Sequence, residues 1–441
     1  MKPFQKKNFP KKFIKFSRMK ESKKEKGFSF WKVLIIGVLL RLVLMPVTLH
    51  PDILGHSFSA YFFAYEGKIN LYDTLAELPQ THPLVKNFGV SDIFIYPPLT
   101  YFTLGLFRVI VKPFSDPNFV PFLMENLSQI HYRNDLFLNL FLFKFPYLFF
   151  DVGLAFLLAG LFDDLKKKNL AFALWIFNPV TIYATFMIGQ LDLLPAFFSV
   201  LGIYLFKKEK FSWAAFSVGV AASFKMYPLF LLFPLAFLSN IKFSEKIKNL
   251  VFGVAPFIFF IAPFVNSPAF RAQVFSPKSQ KMLFMGWPLS GAEVIYPFIL
   301  GLSILCFSAY YSKKKSDLPV YFASALLLTF SVTHFHPQWF LWVTPFLIWE
   351  LVENNFKNWF LTFTIFISWL VLTLMFEPSL SYGLFNPLWP DLDKAAGLSD
   401  LLGRYTNVFQ FKSLVRSLFA GASLFYVVKL LWGGLKTNAD N

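Results

Sequence analysis

Apolar runs near bilayer length recur from residue 31 to residue 433, separated by short polar stretches. The candidate spans are 31–49, 96–113, 136–162, 170–188, 190–206, 212–239, 247–264, 293–311, 319–333, 337–351, 357–376 and 411–433. A helix needs ~20 predominantly apolar residues to cross the hydrocarbon core. Only helices and closed barrels satisfy every backbone group in lipid. The period-two alternation of a lipid-facing barrel is absent. The pattern predicts an all-α, polytopic transmembrane protein with about 11–13 membrane segments, including short broken hairpins, joined by external loops.

Two of these runs carry breaks. Pro228, in Lys225-Met226-Tyr227-Pro228, lacks an N–H and clashes with the preceding turn. A straight helix over 212–239 puts the later cluster Lys313–Lys315 outside. A hairpin with Lys225 at its tip puts every later basic cluster inside. The hairpin is therefore the expectation, and a second break at Lys144-Phe145-Pro146 would reconcile the earlier segments. The external face then gathers 50–95, the turn 188–192, 265–292, the turn 334–338 and 377–410.

Composition agrees. Of 441 residues, 56% are hydrophobic and 15% charged, against about 25% charged in a soluble domain. The net charge of +17 is placed unevenly: residues 1–32 carry twelve Lys or Arg and two Glu, and the other clusters lie between apolar runs. That is the positive-inside pattern, with attraction to anionic membrane lipids as a secondary effect. It puts the N-terminus in the cytoplasm and leaves no role for nucleic acid. The first run is kept as a membrane helix, because it is long and lacks an A-x-A-like cleavage site. The single cysteine, Cys306, lies in an apolar run, so no disulfide or thiolate metal site forms within one chain.

The few polar residues near hydrocarbon then carry the chemistry. Ionisable groups there are costly and usually face a polar cavity. Asp52 lies just beyond the first run, in His50-Pro51-Asp52-Ile53. It is either a loop aspartate or a general base that takes a proton from an incoming hydroxyl. Tyr96 opens Tyr96-Pro97-Pro98-Leu99 and alone reads as an interfacial aromatic. Gln190 and Asp192 occupy a very short turn; Asp192 either caps the next helix or meets a polar ligand. Lys225 suits a phosphate as a compact charge, with snorkelling as its ordinary alternative. His334, His336 and Gln338 lie in Thr333-His334-Phe335-His336-Pro337-Gln338-Trp339. They form an interfacial turn or contact phosphate or sugar, and no nearby Cys or Glu completes a metal set.

The order of these motifs resembles the GT-C superfamily of integral membrane glycosyltransferases, which use polyprenyl-phosphate sugars. The sequence of features is Asp52, Gly67-x-x-Asn70-Leu71-Tyr72, Tyr96-Pro97-Pro98-Leu99, Asn178-Pro179, Gly189-Gln190-x-Asp192, Lys225-x-x-Pro228 and Gln338-Trp339-Phe340-x-Trp342. The nearest resemblance is to the mannosyltransferases that add the first mannose to glycosylphosphatidylinositol, and to their prokaryotic relatives. Lys144 to Asp151 looks like that group's Gly-Lys-x-x-Phe…Asp segment, and Lys225-Met226-Tyr227-Pro228 like its Lys-Ile-Tyr-Pro. The family's first loop often carries Asp-x-Asp, whereas Leu54 holds the second place here, with His56 nearby.

The resemblance implies three regions: a basic cytoplasmic tail over 1–30, a GT-C-like catalytic module over 31–350 with external loop 50–95, and helices over 351–441 with external loop 377–410. It implies transfer of a hexose, mannose first, with inversion, from a polyprenyl-phosphate donor to a lipid-linked or glycan acceptor at the external face of the cell membrane. Asp52 would be the base. Lys225, His334 and His336 would meet the donor phosphate. Tyr96, Lys144, Gln190, Asp192 and Gln338 would line the cavity. No cofactor or metal is assigned. The rival is a multipass transporter or lipid flippase, which should carry inverted repeats and midplane broken helices; no repeat is detected.

Overall fold

A computed structural model describes residues 29–89, 93–275, 283–312 and 314–439. Most of the basic tail, and Lys313, lie outside the described residues. The described chain is mostly helical, with one exposed antiparallel strand pair, Trp287–Ser290 against Glu293–Ile295. That pair displaces the start of the expected run at 293, and the helix there is Pro297–Ser312.

Five helices are long and apolar enough to cross a membrane: Phe30–Val47, Leu136–Gly160, Leu165–Met187, Phe243–Phe264 and Val408–Lys429. Shorter apolar helices include Leu193–Lys207, Phe211–Phe224, Tyr227–Leu238, Pro297–Ser312 and Trp359–Leu374. Phe30–Val47 is only 17% buried by the rest of the protein, leaving Trp31, Ile35, Ile36, Leu39 and Val43 exposed. Val408–Lys429 is 22% buried. Apolar surface of this extent needs a lipid solvent. The protein is a helical membrane protein.

Water does not drive helices together inside a bilayer, so close packing and small residues must. A Cβ at Gly219 would sit 1.7 Å from the Gly253 carbonyl oxygen. The helices Phe211–Phe224 and Phe243–Ile261 therefore touch backbone to backbone there.

Contacts sort the loops between two ends of the bundle. At one end Lys207 pairs with Asp163 at 3.1 Å, Lys315 with Glu209 at 2.8 Å and Lys167 with Glu353 at 2.9 Å. These basic clusters share one end, as the hairpin at Lys225 requires. The helix Phe211–Phe224 stops at Lys225, whose backbone is extended (φ −145°, ψ 138°), and a 3-10 turn, Tyr227–Leu231, leads into Leu232–Leu238. At the opposite end Leu49 N–H donates to the Leu384 carbonyl at 2.8 Å, and the Tyr183 hydroxyl to the Leu380 carbonyl at 2.7 Å.

Two expectations change together. The run at 96–113 is a 14-residue helix, Pro98–Val111, that lies across the ends of other helices. Thr100 donates to the carbonyl of Phe224, the last residue of its helix, at 2.8 Å. Phe102 meets Phe264 at 6.2 Å, and Phe107 meets Tyr147 at 5.9 Å. Nor does the chain reverse at Pro146. Phe145 and Pro146 keep helical dihedrals (φ −55° and −61°), so Leu136–Gly160 is one kinked element. A proline at the start of a helical turn costs little. The extra crossing and the extra reversal cancel, and the basic ends still meet. Residues 50–95 thus belong to a larger layer that runs to about residue 135. It contains the helices Asp52–Ala64, Leu71–Ala76, Pro83–Phe88 and Phe119–Asn126. Asn87 ties it together by donating to the Met124 carbonyl at 2.7 Å.

Candidate active site

Asp52 is the first residue of Asp52–Ala64, directly after the end of the first helix, and its side chain is 39% exposed. Gln190 and Gln338 both donate to its Oδ2, Gln338 at 3.2 Å. Its Oδ1 stays free of amide donors and faces His50 Nδ1 at 3.6 Å. The carboxylate is held by one oxygen and presents the other.

Gln190 arrives by an unusual turn. Asn178 caps the short helix Pro179–Thr181 by accepting from Val180 N–H at 2.9 Å, and that helix runs into a π-helical stretch, Ile182–Met187. Gly189 takes φ +86°, open to glycine at little cost. A π-bulge shifts the register of the residues after it and is frequent at functional sites. Here it delivers Gln190, 1% exposed, to a residue 138 positions away.

Asp192 does not cap its helix through its side chain. It accepts instead from Lys225 Nζ at 2.6 Å and from Trp342 Nε1 at 2.5 Å. Lys225 lies 4.8 Å from the Tyr96 ring centroid and 5.7 Å from that of Trp342. Trp342 stacks on Tyr227 at 3.9 Å and on Trp339 at 5.0 Å. The 3-10 turn Pro337–Trp342 thus supplies both Gln338 and the tryptophan that closes the ion pair. Tyr72, from the Gly67-x-x-Asn70-Leu71-Tyr72 stretch, positions Tyr96 by donating to its carbonyl at 2.7 Å.

Asp52, Tyr96, Gln190, Asp192, Lys225, His336 and Gln338 therefore converge. His336 is within electrostatic reach of Asp52, Lys225 and Asp192. His334 stands on the rim, where the nearby charges are His336 and Arg416. Lys144 is a correction. It is fully buried, and Met45 O, Thr48 O and Met187 O accept from its Nζ at 3.0, 2.5 and 3.0 Å. It stabilises the carbonyl end of the first helix and does not open to the cavity. Asp151, in the same segment, pairs with Arg41 at 2.6 Å. Trp342, His50 and Glu377 were not singled out from sequence as site residues. Trp342 was legible within the Gln-Trp-Phe-x-Trp stretch. Glu377, a lone acid after an apolar run, is felt by His50 and His336. Among the described residues no three His, Cys, Asp or Glu side chains gather as a metal set.

Burial also sets the histidine protonation. The imidazoles of His50 and His336 are pushed down by burial, and that of His56 to about 4. A histidine held neutral when folded binds its proton more readily when unfolded, so its stability contribution is present above ~6.5 and lost as pH falls. For His56 alone, going from about pH 7 to pH 5 should cost roughly 2 kcal/mol. A thermal melt series over that range should show a falling midpoint, reduced in His56→Gln. A flat series in the wild type would put His56 in an ordinary, hydrated state.

No family model matches this chain, and no curated protein sequence matches it.

Proposed function

We propose that this protein is an integral membrane glycosyltransferase of the GT-C type. It moves a hexose, mannose first, from a polyprenyl-phosphate donor to a lipid-linked or glycan acceptor. The observation that carries the reading is the joining of Asp52, Gln190 and Gln338, beside the Lys225–Asp192–Trp342 cluster, from segments up to 286 residues apart.

The positions suit a direct displacement. The acceptor O–H gives its proton to Asp52 Oδ1 while its oxygen forms a bond to the anomeric carbon. The bond from that carbon to the phosphate oxygen breaks, and the polyprenyl phosphate leaves with the electron pair. The configuration inverts because attack and departure are on opposite faces. Lys225 and His336 meet the departing phosphate, and fixed positive dipoles there stabilise charge as it develops. Asp192 holds Lys225 in place, and the Trp339–Trp342 stack supplies an apolar wall. No metal or cofactor enters this scheme.

The positive-inside rule puts the basic end of the bundle in the cytoplasm and the Asp52 end outside the cell membrane. Cysteine labelling on a Cys306→Ser background tests this. Positions in 50–135 and 377–407 should react with an impermeant reagent in intact cells. Positions beside Lys166, Lys207 and Lys315 should react only after permeabilisation. External reaction beside Lys315 would overturn the single-ended arrangement.

The activity itself is tested with membranes and radiolabelled polyprenyl-phosphate mannose. Appearance of label in an acceptor lipid or glycan is the expected result. Movement of intact donor across the bilayer, without transfer, would make the protein a transporter.

A further inference from the structure

A groove of about 450 Å³ runs between the helices Leu232–Leu238 and Pro297–Ser312. One wall is a stripe on Pro297–Ser312 that recurs every three or four residues from Ile299 to Tyr311; the other is Phe233 and Phe237. The two chain segments meet at either end of it, Phe230 against Phe298 at 5.0 Å and Phe237 against Tyr310 at 6.2 Å. Between those contacts the stripe carries Ser303 and Cys306, whose short side chains leave the space open. Phe233, Ile299, Phe307 and Tyr311 are exposed, so the groove opens to the lipid around the bundle and not to its core.

Its length suits a hydrocarbon chain of one leaflet. Twelve residues separate Ile299 from Tyr311. That is about 18 Å along a helix, against about 15 Å for half of the hydrocarbon core.

One end of the groove is basic. Lys246 Nζ donates to the Phe237 carbonyl at 2.9 Å and lies 5.6 Å from the Tyr310 ring centroid, so its ammonium sits against two residues of the groove wall. Lys242 is exposed one turn before it, and makes no ion pair among the described residues. Lys314 and Lys315 follow the end of Pro297–Ser312. With Lys248 these are five lysines against three carboxylates, those of Glu209, Glu245 and Asp317. Tyr310 and Tyr311, both exposed at the same end, are amphipathic aromatics of the kind that mark a membrane–water interface. A basic site between membrane helices at that level favours an anionic headgroup.

We infer that this groove holds one acyl chain of an anionic phospholipid from the leaflet at the basic end of the bundle, with the lipid phosphate at Lys242 and Lys246. The inference uses no part of the transferase reading, and its test measures no sugar transfer.

The probes are phosphatidylglycerol and phosphatidylcholine with identical acyl chains, each titrated into the detergent-solubilised full chain. Native mass spectrometry reads the lipid retained. Alkylation by N-ethylmaleimide reads its position, because Cys306 is the one cysteine in the chain and lines the groove. Phosphatidylglycerol should be retained at about tenfold lower concentration than phosphatidylcholine, and should slow Cys306 alkylation over the same range. Ser303→Phe fills the groove and should lose the tightly retained phosphatidylglycerol. Lys246→Gln should weaken phosphatidylglycerol retention about fivefold and leave phosphatidylcholine unchanged. Lys242→Gln changes an exposed side chain and reads the same loss if Lys246→Gln does not fold. Equal retention of the two lipids makes the groove a non-selective lipid contact and overturns the proposal. So does wild-type retention of phosphatidylglycerol in Ser303→Phe or in the lysine variant. Retention that leaves Cys306 alkylation unchanged puts the lipid elsewhere and overturns it as well.

Discussion

Asp52→Asn should lower sugar transfer by about 10²–10⁴-fold while the protein folds and binds donor as before. The substitution is close to isosteric. The asparagine oxygen can take the place of Oδ2 and accept from Gln190 and Gln338, so the local hydrogen bonds survive. What is lost is the basic oxygen on the side that faces His50 and the exposed mouth. Rate should therefore fall without a matching change in melting temperature or in donor affinity. Those three readouts together separate a catalytic base from a loop aspartate. Transfer within a few-fold of wild type by a well-folded Asp52→Asn protein would remove Asp52 from the mechanism. Gln190→Leu is the companion experiment. It leaves the base present but loosens its aim, so it should cost less than loss of the base itself.

The second large effect is at the Lys225–Asp192 pair. Their side chains are 8% and 0% exposed, at 2.6 Å. Removing one partner of a buried pair strands the other and typically costs about 3–5 kcal/mol. Lys225→Met should therefore destabilise the protein strongly as well as weaken donor binding, leaving Asp192 with only the Trp342 N–H. Asp192→Leu should be comparably damaging. The double variant, Lys225→Met with Asp192→Leu, should recover much of the stability because no charge is stranded. It should not recover transfer if Lys225 meets the donor phosphate. Melting temperature, donor binding and transfer measured on the three variants decide between a structural and a functional lysine. Full activity in the refolded double variant would assign the phosphate contact elsewhere, with His336 the next candidate. Lys225→Arg retains charge, but its larger fork must fit between the Tyr96 and Trp342 rings.

How far the sequence reached can be argued from particular residues. Its apolar runs determined that the protein is helical and needs lipid, because run length and the rarity of charge report directly on the solvent around a helix. The break at Lys225-Met226-Tyr227-Pro228 was legible for the same local reason, since proline removes a donor wherever it sits. The cost of placing ionisable groups beside hydrocarbon also picked out Asp52, Asp192 and Lys225 before any fold was known. What each of them touches was another matter. Asp192 read as a cap or a ligand contact and is instead the counter-ion of Lys225, 33 residues away. Lys144 read as a cavity residue, and it closes the end of the first helix through carbonyls at Met45 and Thr48. Pro146 bends a helix without reversing it, and Pro98–Val111 has a span-like composition but lies across helix ends. Arg108 carries no distinguishing signal within its apolar run, and only packing shows that its guanidinium is buried without an ion pair among the described residues. The reason is common to all of these. Hydropathy and proline act within one segment, whereas an ion pair, a helix's tilt and an unpartnered charge depend on which distant segments pack beside it, and that was decided by the tertiary structure alone.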